Sequence, residues 1–479
     1  MQVGFSTADI TPAIGMEMPG GYGKACISRI HDPLKARAAV FVDGTEAVVL
    51  VGLDTCEFQS PRIITEVRRA VEAQCGLPGD RILLAASHTH SGGPLFGMLP
   101  EEVADAPDLV KALIQQHSTV ADPLYCEWVI RRTVSAICEA YRTREEATLS
   151  IGSGQEGEVA FNRRLRMANG RVYTHPGKGN PDILGPAGPI DPEVGVVAAW
   201  NARDELIGCV VNYACHATIA NTGISADYIL YIEKTIQAVM GASAQVVFLN
   251  GASGDVTQIN NMSTSEQEVG DKYVRRVGTR IGAEALKVLV TAERGAGHPL
   301  AGKKEILTLQ RRRPSPERGR ASCAIIEECL RTGERTTAWT FAKEVLILEY
   351  LLQKQPEVEV EIQALQIGPA VFLANPTEYF CELGLDIKRR SPFPFTYIVG
   401  LANGSAGYVP TKEAFAPSGG GYETVLTSLS NLEIAAGDKI RDASLALACQ
   451  LQPGTVSQAP RIEPPRPPWS YGMLGPDLD

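Results

Sequence analysis

Two histidines spaced two apart at the end of a short apolar run are the first groups in this chain whose placement could do chemistry. The run is Arg81-Ile82-Leu83-Leu84-Ala85-Ala86-Ser87-His88-Thr89-His90-Ser91-Gly92-Gly93, long enough for one buried strand and closed by a Ser-Gly-Gly turn. Residues two apart in a strand face the same side, so His88 and His90 can converge on one metal ion or one reacting group. The plainer reading is a pair of histidines hydrogen-bonded in a turn. On spacing alone the two readings are evenly matched.

The wider pattern tips the balance. Leu206–Tyr213 is a strand pattern with His216 just beyond it, and Val246-Val247-Phe248-Leu249 runs into Asn250-Gly251-Ala252-Ser253-Gly254-Asp255. Ala370–Ala374 runs into Asn375-Pro376-Thr377-Glu378, and Thr396–Leu401 into a loop ending at Tyr408. In open α/β sheets the crevice beyond the carboxyl ends of strands binds ligands. Imidazoles, carboxylates and a phenol at such an edge form an N/O donor set that suits zinc and leaves a position open for water. A cation there lowers the pKa of a water and polarises a carbonyl, which points to a hydrolase. Of seven histidines, His31, His117 and His298 lack such a setting, and His175 lies in a long irregular segment, about 160–195, of the kind that shapes binding sites.

The elements that must position these groups alternate as in an α/β layer. Residues 35–54 read as two strands around Asp43-Gly44, with Asp54 at the end of the second, either orienting a histidine or capping the next segment. Ser60-Pro61 starts a helix with Ile63, Ile64, Val67 and Val71 on one face. Helical patterns follow near 102–116 and 124–142, the latter expected to bury Trp128, Ile130, Val134 and Ile137, and another runs from Ser225-Ala226-Asp227 to about 240. The loop Met18-Pro19-Gly20-Gly21-Tyr22-Gly23 has glycines that let backbone approach a neighbour closely. Residues 312–355 are helical and charged: an inserted arm, a lid, or a contact in a homo-oligomer. The expected architecture is α/β, a mixed sheet flanked by helices with the metal site at strand carboxyl ends. One domain spans 1–450, and a proline-rich arm spans 451–479.

Forty-five Lys+Arg against 55 Asp+Glu give a net charge of −10 with no basic run, which argues against nucleic acid as a partner. Neither a signal segment nor a membrane-spanning stretch is legible, so a cytoplasmic location is expected. The 11 cysteines are scattered without a CxxC pair, which gives no support to a disulfide framework or a thiolate zinc site.

Ala86-Ser87-His88-Thr89-His90-Ser91-Gly92, Asn162-Arg163, Cys215-His216, Gly254-Asp255-Val256, Pro376-Thr377-Glu378, Ala406-Gly407-Tyr408-Val409 and Tyr422-Glu423 together resemble the catalytic domain of the neutral/alkaline non-lysosomal ceramidase family, from about residue 3 to about 450. The resemblance implies a zinc amidase that hydrolyses an N-acyl bond. It assigns one Zn2+ per chain to His88, His216, Glu378 and Tyr408. His90 becomes the acid or base beside the attacking water, Tyr422 the donor to the developing oxyanion, and Arg163 a group near the scissile amide. Substrate contacts are expected from Gly21, His175, Asp255 and Thr257.

Departures from the family bear on the substrate. Gly254-Asp255-Val256-Thr257-Gln258-Ile259 stands where the family has Gly-Asp-Val-Ser-Pro-Asn, which alters the loop expected against a sphingoid head group. The chain also ends about where the catalytic domain should, without the family's β-sandwich domain. A soluble N-acyl or cyclic amide is therefore expected in place of membrane-embedded ceramide. Two other readings stay open: a binuclear hydrolase of an ester, lactone or phosphate, using His88, His90, His216 and Asp255, and a non-catalytic relative that binds a small molecule.

Overall fold

Apolar residues on both faces of a strand need cover on both sides, and this chain supplies that cover three times over. The structure is a computed structural model that describes residues 1–220, 223–265, 268–459 and 468–479. In the first unit β1 (Gln2–Asp9), β2 (Lys35–Asp43) and β3 (Glu46–Leu53) run antiparallel, and α1 (Pro61–Cys75) crosses over to β4 (Ile82–Ala86), which pairs parallel with β3. α2 (Asp108–His117) and α3 (Pro123–Arg142) follow. The second unit repeats the plan. β5 (Thr148–Gln155), β6 (Glu193–Trp200) and β7 (Leu206–Tyr213) are antiparallel, α4 (Tyr228–Met240) leads to the parallel β8 (Gln245–Asn250), and α5 (Asp271–Thr291) returns.

The third unit carries an insertion. β9 (Leu300–Gln310) is followed by a helical hairpin of α6 (Pro316–Thr332) and α7 (Thr337–Lys354) before β10 (Glu357–Ile367) and β11 (Ala370–Ala374) complete the antiparallel set. α8 (Cys381–Arg390) then leads to β12 (Phe395–Val399), parallel to β11, and α9 (Ala436–Cys449) covers the sheet.

The three sheets meet in one central core. Alternation along each strand divides its side chains: Val48 and Leu50 of β3, Val247 and Leu249 of β8, and Phe372 of β11 share that core. The intervening residues point outward. Val49 and Val51 pack with α1 and α3, Val246 and Phe248 with α4 and α5, and Val371 and Leu373 with α8 and α9. The architecture is the expected α/β class, distributed over three mixed sheets instead of one. Trp128 departs from its expected place, since it is 46 % exposed beneath the Arg132 guanidinium while Ile130, Val134 and Ile137 are buried.

α6 and α7 pack on α2 through Leu113, Ile326, Trp339 and Leu346. The start of the C-terminal arm lies on the third sheet: Gln366 Nε2 donates to Gln452 O at 2.6 Å and Gly454 N to Gly368 O at 3.0 Å. Residues 460–467 of the expected arm fall outside the described residues. Among the described residues, no helix is long and apolar enough to cross a membrane.

One loop contact makes stability depend on pH. His31 Nδ1 lies 2.8 Å from Asp32 and Nε2 3.2 Å from Asp271 at the start of α5. The hydrogen bond to Asp32 is the main cause that raises its pKa above the ordinary imidazole value. A raised folded pKa means the contribution is complete below the unfolded value, about 6.5, and fades as pH climbs through the folded one. Denaturant unfolding of His31→Asn should therefore show a larger deficit against wild type near pH 5.5 than near pH 9; equal deficits would refute this.

Candidate functional site

Each unit ends its parallel strand pair at the same place. His88 stands two residues beyond β4, His216 three beyond β7 and Glu378 four beyond β11, so each unit sends one donor to a common point. Local backbone aims them. His88 takes a left-handed conformation, φ 66°, which turns the chain sharply out of the strand. Glu378-Tyr379 forms a two-residue parallel ladder with Tyr408-Val409, which fixes Glu378 opposite Tyr408.

The donors face one another. Glu378 Oε2 lies 3.2 Å from His88 Nε2 and 3.1 Å from His216 Nε2, all three side chains buried. Backbone carbonyls take the other imidazole nitrogens: Cys56 O is 2.8 Å from His88 Nδ1, and Ser253 O is 2.7 Å from His216 Nδ1. A carbonyl can only accept, so each Nδ1 carries its hydrogen and, in the neutral ring, each Nε2 presents a lone pair. Two imidazole nitrogens and a carboxylate oxygen turned to one point form a donor set that a cation would complete. The separations also match the edge of about 3.3 Å expected for a tetrahedral set of N/O ligands on zinc. The residues present therefore fit a metal ion.

The donors are coupled as charges: burial would lower the His88 imidazole, but the Glu378 carboxylate outweighs it and raises it well above the ordinary value. Burial alone would raise the Glu378 carboxyl, but the charge of His88 and the bonds from both histidines outweigh it and hold it below the ordinary carboxylate range. Burial, with Arg163 and His88 nearby, keeps His216 well below the usual imidazole value. Cys56 and His90 make a second group with His88, yet burial raises the Cys56 thiol and so disfavours the thiolate that a metal would need.

His90 Nε2 stands 3.4 Å from His88 Nε2, and its Nδ1 is 2.8 Å from Gly20 O, which leaves Nε2 free to accept. Burial and the neighbouring His88 push its pKa down to about 3, so the ring is neutral. Gly20 is the glycine packed against His90, whereas its neighbour Gly21 stands in open space. Gly20 has φ 123°, and a Cβ there would stand 2.6 Å from the His90 carbonyl oxygen; a Cβ on Gly21 would meet nothing within 4 Å. Gly20→Ala should displace His90 at a strain of about 1–3 kcal/mol and cut kcat/KM about tenfold or more, with Gly21→Ala near wild type. Equal behaviour of the two variants in steady-state kinetics would refute this assignment.

The loop continues as Tyr22, whose carbonyl accepts from Lys343 Nζ of α7 at 2.7 Å. Lys343 is buried and also holds Ser118 Oγ at 2.6 Å, while the adjacent Glu344 accepts from the Ser428 hydroxyl. The hairpin between β9 and β10 thus ties down loops on two sides of the site.

On the opposite side, Arg163 donates from Nε to Glu423 at 2.8 Å and from Nη2 to Gly254 O at 2.8 Å and the Tyr408 hydroxyl at 3.2 Å. The Tyr408 and Tyr422 hydroxyls are 2.8 Å apart. Burial raises both phenols above the ordinary tyrosine value.

The other residues expected to contact substrate have these partners. Asp255 accepts from Cys381 N–H at 2.8 Å at the start of α8 and from Asn162 Nδ2 at 2.7 Å, so this carboxylate ties strands to a helix. Thr257 is buried and donates to Gln258 Oε1 at 2.7 Å. His175 lies beside the site, its backbone N–H on Arg163 O at 3.0 Å and its Nδ1 3.2 Å from Asn261. Asp54 pairs with Arg37 and with Lys35 N–H, so it neither orients a histidine nor caps α1. Sequence reasoning missed Cys56, Glu57 and Glu423 as neighbours of the donors. The signal was there for the first two, because β3 runs parallel to β4 and its end must reach the same edge.

Among solved structures the fold is similar to a ceramidase complexed with C2, with TM-score 0.66 at 20 % identity over 96 % of this chain and 77 % of that one. It is equally similar to neutral ceramidase from Pseudomonas aeruginosa, with TM-score 0.67 at 21 % identity over 96 % of this chain and 76 % of that one. No family model matches the chain, and no curated protein matches it in sequence.

Proposed function

We propose that this chain, as one catalytic domain over residues 1–450, is a zinc amidohydrolase that cleaves the C–N bond of a soluble N-acyl compound. The observation that carries the reading is the meeting of His88 Nε2, His216 Nε2 and Glu378 Oε2 at 3.1–3.2 Å, with both imidazole tautomers set by backbone carbonyls. These three with Tyr408 would hold one ion, which would lower the pKa of a water and polarise the scissile carbonyl.

The chain's own groups account for the rest. His90 Nε2, neutral and fixed through Gly20, accepts the proton of the attacking water and returns it to the leaving nitrogen as the C–O bond forms and the C–N bond breaks. Tyr422, its hydroxyl beside that of Tyr408, donates to the oxyanion, and Arg163 beneath both phenols supplies positive charge there. Tyr422→Phe should lower kcat by about 10²–10³ with little change in KM, as for loss of one oxyanion donor. A variant with wild-type kcat would remove Tyr422 from that role.

The soluble-substrate part rests on the sequence Thr257-Gln258-Ile259 in the loop expected against a sphingoid head group. Elemental analysis of protein purified without chelator, followed by hydrolysis of an N-acyl amide panel against a Glu378→Ala blank, tests the reading. One zinc per chain and activity above the blank support it. Two ions, or no hydrolysis of any amide by zinc-loaded protein, overturn it.

A further inference from the structure

Two thiols can be joined only where the fold brings their sulfurs together, and among the described residues one pair of the 11 cysteines has its sulfurs in contact. Cys75 is the last residue of α1 and Cys138 lies in α3, with Sγ 3.1 Å from Sγ, about 1 Å beyond the length of an S–S bond. The Cys75 thiol donates to the Cys138 sulfur, and the Cys138 thiol in turn lies 3.6 Å from Gln74 Oε1, so the lone pairs of Cys138 are turned toward Cys75. Their surroundings differ. Cys75 is half-buried, whereas Cys138 is buried in the core that α1 and α3 share with the first sheet. A Cβ on Gly76, the next residue, would meet nothing within 4 Å, so the turn that carries Cys75 has room to shift. Buried cysteines such as Cys126 and Cys209 touch no second thiol among the described residues and serve as apolar filling.

We propose that Cys75 and Cys138 are a site of reversible oxidation, which takes a disulfide oxidant of the glutathione class and becomes an intramolecular disulfide that clamps α1 to α3. The more exposed sulfur reacts first. Cys75, as thiolate, attacks one sulfur of glutathione disulfide, releases one glutathione and keeps the other half as a mixed disulfide. Cys138 then loses its proton to solvent and attacks the Cys75 sulfur, which expels the second glutathione. The protein gives up two electrons and two protons, and one glutathione disulfide becomes two glutathiones. Burial and the neighbouring Cys75 push the Cys138 thiol up to about 12, which makes this second step the slower one. The new bond joins residues 63 positions apart, around a loop that contains β4, His88 and His90, and so restricts the unfolded chain.

The test uses the full-length protein, reduced, freed of reductant and held for hours with glutathione disulfide at about pH 8. Non-reducing peptide mapping should find the peptides of Cys75 and Cys138 joined. Apparent Tm should rise by about 3–5 °C over Cys75→Ser treated alike, and fall back on adding dithiothreitol. That comparison cancels the effect of glutathione on Cys26 and Cys449, which are exposed in both proteins. Cys138→Ala should stop the reaction at the mixed disulfide, with glutathione held on Cys75. Should a variant fold poorly, the wild-type map decides alone: joined peptides support the proposal, whereas glutathione left on Cys75, or neither cysteine modified, overturns it. A joined pair with no rise in Tm overturns the clamp. None of these readouts needs hydrolysis, so the outcome is independent of the amidase reading.

Discussion

Alanine at position 378 should empty the metal site and reduce kcat/KM by about 10³-fold or more, because the variant loses both a donor and the charge that holds two imidazole lone pairs together. Among the described residues Glu378 Oε2 is the one atom recorded against both His88 Nε2 and His216 Nε2. Zinc per chain by elemental analysis should fall from one to under about a tenth at sub-micromolar free metal, consistent with loss of one ligand and its electrostatic support. Unfolding offers an independent readout. Wild type should gain stability on adding zinc by mass action, and Glu378→Ala should gain almost none. Retention of stoichiometric zinc by the variant would show that the donors have been misassigned.

Arg163→Met should be the most damaging single change outside the donors themselves. It leaves Glu423, fully buried, without its ionic partner, and removes the donors to Gly254 O and the Tyr408 hydroxyl. Breaking a buried pair in this way costs about 3–5 kcal/mol of stability. Glu423 keeps one donor, the Thr174 hydroxyl at 2.6 Å, which softens but does not replace the loss. Urea unfolding should therefore report a large drop. The double variant Arg163→Met/Glu423→Gln should recover part of the stability, because the stranded charge is gone, and recover none of the activity, because the oxyanion side still lacks its cation. Equal stability of the single and double variants would mean that the ion pair is not what holds this side together.

Much of this arrangement was legible in the chain because its strands are covered on both faces. Continuous apolar runs such as Val247–Leu249 and Val371–Leu373 stop abruptly at polar residues, and those stops mark the edge where His88, His216 and Glu378 meet. What was not legible depends on long-range pairing or on a single torsion. A lone mixed sheet was expected where the described residues form three, with smaller antiparallel and two-stranded sheets besides, since nothing local says that β4 stops pairing and β5 begins a new sheet. Asp255 has the position of a site carboxylate, yet its partners Asn162 and Cys381 are far away in sequence. Between Gly20 and Gly21 only the backbone angle and the nearness of His90 decide. Nothing local marks Glu57 as buried, because part of its cover, Ser405, comes from a distant loop.

The division into units has a consequence for how the molecule comes to exist at all. Each large sheet takes its main strands from one continuous stretch, 2–86, 148–250 and 300–399, so its ladders close over modest sequence separations. Ladders of that kind form early, whereas contacts between distant stretches wait for the entropy of closing long loops. His88, His216 and Glu378 belong to three different stretches. The order of assembly therefore runs from sheets to central core to donor cluster, and a chain emerging from the ribosome can complete two of its three units before the last donor has been synthesised. On the proposed reading, ion capture would come at the end of that sequence, as the step that registers that all three pieces have docked.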